Sequence, residues 1–148
     1  MTALHMARPQ DAERLLPLVA AFHAEMGLQS TEPDRMAGIT PLLEGSPHGV
    51  AYLMGPQRAP IGYVVICFGW SVEFGGMDGF VDELYVRPGV RGRGIGSEVL
   101  NQLAKALSEA GMRALHLEVR KDDGKTRRFY EKLRFAAREE YVLMTRRS

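Results

Sequence analysis

The segment Ile61-Gly62-Tyr63-Val64-Val65-Ile66-Cys67-Phe68 runs for eight residues without a charge. It is too short for a buried helix and rich in β-branched residues, so it reads as a strand covered on both faces. A strand of that kind needs a sheet around it and a layer of other elements above and below. The chain has the material for this. It holds 148 residues, 45% of them hydrophobic and 25% charged, which is average for a soluble globular protein and excludes disordered and fibrous classes. A chain of this length buries roughly 70% of its unfolded surface and needs no staples. The length suits one domain spanning residues 1–148.

The pattern on either side supports an α/β arrangement: one mixed, mostly antiparallel sheet flanked by helices. Ala3–Ala7 reads as a first strand. Ala12, Leu15, Val19, Phe22 and Met26 recur at helical spacing, with Asp11, Glu13, Arg14, His23 and Glu25 between them, and Gly27 ends the helix. Pro17 is a blemish in it. Thr31-Glu32-Pro33-Asp34 has the form of a capping box and opens a second helix. Val50–Met54 is a short strand. Ile61–Trp70 and Phe80–Val86 form an antiparallel hairpin, with Gly75–Gly79 as its loop. Ile95, Val99, Leu103, Leu107 and Ala110 mark a third helical face, closed by Gly111. Ala114–Val119 alternates as a strand, Lys125–Leu133 forms a short helix, and Tyr141–Thr145 a last strand.

Several functions are excluded early. Cys67 is the only cysteine, so no intramolecular disulfide exists, and it reads as a buried reduced thiol. His5, His23, His48 and His116 are scattered without a metal-ligand spacing, so no metal is expected. The net charge of +1 removes the bulk argument for a nucleic-acid partner. No window approaches the ~20 apolar residues of a membrane span. Met1–Pro9 lacks the apolar core of a secretory signal. The expectation is a cytoplasmic protein with no membrane partner.

The strongest chemical signal is Val86–Gly96. A buried strand runs into a turn with glycines 89, 92 and 94 and arginines 87, 91 and 93, and a long helix follows at once. Glycine lets the backbone approach a ligand closely. The helix N-terminus offers unpaired N–H groups and partial positive charge, and Arg91 and Arg93 add formal charge. These parts make a pyrophosphate cradle. A phosphate-binding loop ending in Gly-Lys-Ser/Thr is absent. A dinucleotide fingerprint fits Gly92 and Gly94 but meets Ser97 where its third glycine belongs, and too few residues follow Glu118 for a substrate half.

Arg91-Gly92-Arg93-Gly94-Ile95-Gly96, after Leu84-Tyr85-Val86, resembles the acyl-CoA-binding motif (Arg/Gln-x-x-Gly-x-Gly/Ala) of the GCN5-related N-acetyltransferases. Phe129-Tyr130, ahead of Arg134-Phe135, resembles that family's second signature, a phenylalanine–tyrosine pair on a short helix before Gly-Phe. The order of elements matches across essentially the whole chain. Arg134 stands where the family has glycine, and Asp123 where many members have an asparagine that contacts pantetheine.

The resemblance implies transfer of an acetyl group from acetyl-CoA to an amine by direct attack, without a covalent enzyme intermediate. It places pantetheine against Leu84, Tyr85 and Val86, and the pyrophosphate on the amides of Gly92, Gly94, Ile95, Gly96 and Ser97, with Arg91, Arg93 and Asp123 also in the cofactor site. Tyr130 matches the general acid for the leaving thiolate. The candidates for the base are Asp82 and Glu83 on the central strand, directly or through a water. Adjacent strand residues face opposite sides, and Asp82 shares a face with Leu84 and Val86, so strict alternation favours Asp82 over Glu83. Members of the family often pair through C-terminal strands, which makes a homodimer an expectation for the segment after Tyr141.

Charge is segregated along the chain. Glu73, Asp78, Asp82 and Glu83 stand together with no Lys or Arg from 73 to 83, while 120–134 carries net +4. The basic part suits a polyphosphate cofactor, the acidic part a cationic amine. The run from Phe80 through Glu98 most resembles the polyamine and diamine acetyltransferase branch, with Trp70, Glu73 and Phe74 as candidate substrate contacts. The substrate is then a small-molecule or peptide amine. A non-catalytic acyl-CoA-binding regulatory module is the alternative.

Overall fold

The apolar run becomes the middle strand of a five-stranded sheet. The computed structural model describes residues 1–148, which form two units, 1–117 and 118–148. In the first unit the strands are β1 (Leu4–Met6), β2 (Gly49–Met54), β3 (Gly62–Ser71), β4 (Gly76–Val86) and β5 (Ala114–His116), in that spatial order. The first four run antiparallel, and β5 lies parallel to β4. The helices of this unit are α1 (Ala12–Glu25), α2 (Glu32–Leu43) and α3 (Ile95–Glu109). The sheet is mixed and flanked by helices, as its sequence pattern requires.

Both faces of β3 are covered. Ala51, Leu53, Tyr63, Val65 and Tyr85 pack with Leu15, Leu18 and Val19 of α1 and with Ile39 and Leu43 of α2. On the opposite parity Val50, Val64, Ile66 and Val81 are buried, and α3, which contacts β4, brings buried Val99, Leu100 and Leu103. The Thr31 capping box forms: its hydroxyl accepts from the Asp34 N–H at 3.2 Å, and the Asp34 carboxylate accepts from the Thr31 N–H at 3.0 Å. α1 continues through Pro17; burial of Leu15, Leu18 and Val19 around it offsets the missing backbone bond.

Three sequence expectations change. The hairpin turns at residues 72–75, and Gly76–Gly79 lies within β4 rather than in a loop. These glycines serve packing: a Cβ on Gly79 would come within 2.6 Å of Met112 Cε, and one on Gly76 within 2.8 Å of Arg113 Cγ. β5 stops at His116 instead of reaching Val119. Tyr141–Thr145 forms no strand, and Tyr141, Val142, Leu143 and Met144 are exposed. Residues 118–148 contain no strand for it to pair with, and strand propensity without a ladder is not enough.

The second unit is built on α4 (Gly124–Lys132). Asp123 caps it, its carboxylate accepting from the Thr126 N–H at 3.0 Å. At the other end the Phe135 N–H donates to the Tyr130 carbonyl at 3.1 Å and the Arg134 N–H to the Glu131 carbonyl at 3.1 Å. This is a Schellman ending, and it puts Arg134 at φ +73°, the only non-glycine residue with positive φ. The turn therefore keeps glycine geometry without glycine. No helix is long and apolar enough to cross a membrane.

Candidate active site

Strict alternation along β4 breaks where the acids lie. Val65 pairs with Glu83 and Ile66 with Val81, so Asp82 is an extra residue in the pairing register, a bulge. Asp82 is exposed at this bulge. Glu83 shares its face with Tyr63, Val65 and Tyr85, toward α1. The alternation argument for Asp82 fails for this physical reason: a bulge resets the parity of the strand.

Each carboxylate oxygen of Glu83 has one hydrogen-bond partner. The Tyr63 hydroxyl donates to Oε1 at 2.7 Å, and His23 Nε2 lies 2.6 Å from Oε2. The His23 and Glu83 side chains are 15% and 16% exposed, so the carboxylate is reachable but mostly desolvated. His23 Nδ1 lies 2.7 Å from Ser30 Oγ, and Arg35 Nη1 donates to the same oxygen at 3.1 Å. Burial, and then the Glu83 charge, push the Tyr63 phenol far above its ordinary range. Tyr63 is thus a permanent donor.

Beside this cluster, β4 has an open edge. Its pairing to β5 covers only Asp78–Phe80 and ends two residues before the bulge. Leu84 and Val86 are half-buried and Tyr85 is buried. The strand leads through a 3₁₀ turn (Pro88–Val90) to Gly92 and Gly94, at φ +82° and +76°. Gly94 is the N-cap of α3 in the left-handed conformation, with no side-chain cap. That leaves first-turn N–H groups of Ile95, Gly96 and Ser97 for an anion. Glu98, an acid in the same turn, is occupied by the Thr2 N–H and hydroxyl. The donor set fits a pyrophosphate. Arg93 is exposed. Arg91 bends back: Nε donates to the Val86 carbonyl at 2.7 Å, Nη2 to Glu25 at 2.6 Å, and the guanidinium lies 5.5 Å from the Tyr85 ring centre. The Glu25 bond raises its pKa further.

In the second unit, Tyr130 is half-buried between Phe129 and Phe135, with ring centres 5.1 and 5.8 Å away. Burial, then the Asp123 charge, raise its phenol above the ordinary value. Asp123 has its carboxyl lowered by the hydrogen bonds from Thr126.

The sequence itself decides the family. Residues 17–135 match the acetyltransferase (GNAT) family. The chain belongs to it. Solved structures share the fold. An integron cassette protein from the mobile metagenome of the Cole Harbour salt marsh is 27% identical, with TM-score 0.85, over 98% of this chain and 90% of that one. The ribosomal-protein-alanine N-acetyltransferase of Brucella melitensis biovar Abortus 2308 is 23% identical, with TM-score 0.78, over 100% and 99%. An aminoglycoside acetyltransferase from an uncultured soil metagenomic sample shares the fold at 15% identity and TM-score 0.82, over 99% and 96%. No individually curated protein matches the chain significantly.

The GNAT sheet brings Glu83, Tyr85 and the Arg91–Ser97 turn to one end of β4. It does not bring the hairpin residues there. Trp70 (74% exposed) pairs with Met77, five residues along β3 from the partner of Glu83, or roughly 17 Å at strand rise. Glu73 and Phe74 sit in the turn beyond; the Phe74 ring lies 5.7 Å from His116, whose Nε2 is 3.2 Å from Asp78. His23, Ser30, Arg35 and Tyr63 were not among the sequence candidates. The signal for His23 was present: it continues the Leu15, Val19, Phe22 stripe at helical spacing, a polar residue on a core-facing side. Tyr63 was a hydroxyl inside an apolar run, which needs a buried partner.

Proposed function

We propose that this GNAT chain is an acetyl-CoA-dependent N-acetyltransferase of primary amines, working in the cytoplasm as one catalytic domain, with Glu83 as general base and Tyr130 as general acid. The observation that carries the reading is the Gly92–Ser97 turn. A strand with an open edge delivers a left-handed glycine to the uncapped start of a long helix. Acetyl-CoA, when bound, supplies the thioester whose carbonyl carbon the amine attacks. The turn amides hold its pyrophosphate, with Arg93 at the rim, and the β4 backbone at Leu84–Val86 aligns its pantetheine.

Glu83 acts on the amine. A carboxylate offers four lone-pair sites; Tyr63 and His23 use two, leaving two to accept N–H bonds from an ammonium. Glu83 takes one proton, and the neutral amine can attack. As the carbon–sulfur bond breaks, Tyr130 gives its proton to the leaving sulfur, and the proton shed by the new amide nitrogen restores it. A raised phenol pKa keeps Tyr130 protonated at neutral pH, which an acid requires.

The acids of residues 73–83 favour a cationic amine. A long polyamine would place one end at Glu83 and extend toward Trp70, Glu73 and Phe74. The names of two neighbours, one acting on a protein alanine and one on aminoglycosides, both concern amino groups. The test is thiol release from acetyl-CoA with a panel of putrescine, spermidine, an aminoglycoside and an alanine-initiated peptide. Tyr130→Phe should lower kcat by about 10²–10⁴ and Glu83→Gln by a similar factor. The wild-type rate should hold on the alkaline side up to at least about pH 10, the ordinary tyrosine value. Tight acetyl-CoA binding with no turnover of any amine would sink the reading.

A further inference from the structure

We propose that His23 is the positioning residue of the general base: it fixes the Glu83 carboxylate, and its own ring is fixed by Ser30 and Arg35. The inference rests on the reading of Glu83 as base. An ionised carboxylate only accepts, so His23 Nε2 carries a proton toward Glu83. Arginine only donates. Arg35 Nη1 donates to Ser30 Oγ at 3.1 Å and to the Ser30 carbonyl at 2.5 Å. The Ser30 hydroxyl hydrogen is then free to point at His23 Nδ1, 2.7 Å away. With the ring proton on Nε2, which donates to Glu83 Oε2 at 2.6 Å, Nδ1 is the acceptor of the Ser30 hydrogen. Tyr63 donates to the other oxygen.

The chain of bonds crosses three elements. It begins on α2, passes through the residues joining α1 to α2, enters the last turns of α1 and ends at the β4 bulge. The imidazole is also held sideways, with the Phe22 ring centre 6.1 Å away. A bulge leaves a strand side chain without the regular neighbours that set its rotamer, and His23 supplies that restraint. His23 holds the carboxylate by an oxygen whose second lone pair stays open to an ammonium. It orients the base and takes no proton in the reaction.

The experiment combines kinetics with ring-nitrogen NMR on the full chain, using acetyl-CoA and the best amine of the panel. His23→Ala should lower kcat about 10²-fold, the usual cost of a misplaced catalytic group, with KM for acetyl-CoA unchanged. His23→Gln, which restores an N–H donor near the Nε2 position, should recover at least about tenfold. In a Glu83→Gln background His23→Ala should add less than about twofold, because the two residues act as one. A full His23→Ala loss repeated in that background, or no loss in wild type, overturns the positioning role. Full activity in Glu83→Gln alone overturns the base reading instead, whatever His23 does. The NMR arm needs no substrate. Nitrogen-15 shifts should show the wild-type ring protonated at Nε2 only, and Ser30→Ala should let it populate the Nδ1–H form. A wild-type ring protonated at Nδ1 refutes the chain of donors.

Discussion

Both faces of the sheet are buried, but they are built differently. Toward α3 the interior is Val50, Val64, Ile66, Val81, Val99, Leu100 and Leu103, with no polar side chain. Toward α1 and α2 the same strands present Tyr63, Tyr85 and Glu83, and α1 answers with Phe22 and His23. Apolar packing needs only volume and shape. A polar interior must also satisfy each donor and acceptor, because an unpaired one costs about 1–3 kcal/mol. The α1 face meets that demand at Glu83, with a donor on each oxygen, but leaves two buried nitrogens, His5 Nε2 and Arg14 Nε, without a partner. Under the proposed function, one face is scaffold and the other is the place where stability is traded for chemistry.

The sharpest way to break this contrast is to put a carboxylate on the wrong side. Val64 is fully buried on the α3 face. Val64→Glu should cost more than about 3 kcal/mol, because no Tyr63 or His23 waits for the charge there; a cooperative urea transition near the wild-type midpoint would refute the contrast. Leu100→Ala on the same face should cost about 2–5 kcal/mol, read from urea midpoints, with kcat of the folded fraction unchanged. Tyr63→Phe on the α1 face should be milder for stability, about 1–3 kcal/mol, yet should lower kcat, the reverse pairing of effects. A variant that touches neither face sets the scale. Arg134→Gly relieves a left-handed φ of 73° and should raise stability by about 1 kcal/mol, measured as a higher melting temperature with activity intact.

Much of the scaffold was readable because it depends on local rules. The capping box at Thr31, the buried run of β3 and the glycine turn before α3 each follow from a few neighbouring residues. Where the reading slipped, a non-local partner decided. Gly76 and Gly79 looked like loop residues, but they are strand residues under Arg113 and Met112. Tyr141–Thr145 has strand composition and no ladder to join. The choice between Asp82 and Glu83 rested on period-two alternation, and no sequence rule announces a bulge between two acids. His23 was read among the polar residues of α1, since only its contact sixty residues away shows that it turns inward.

The bulge has a consequence for what this strand could be. Asp82 is extra to the ladder register. Remove it, and Val81 still faces Ile66 while Glu83 still faces Val65; each side chain would keep its face. A regular β4 could also run on beside β5 past Phe80 and His116, where the ladder now stops. The extra residue persists as a fault line, a place where the sheet forgoes backbone bonds of its own and leaves those groups for a guest.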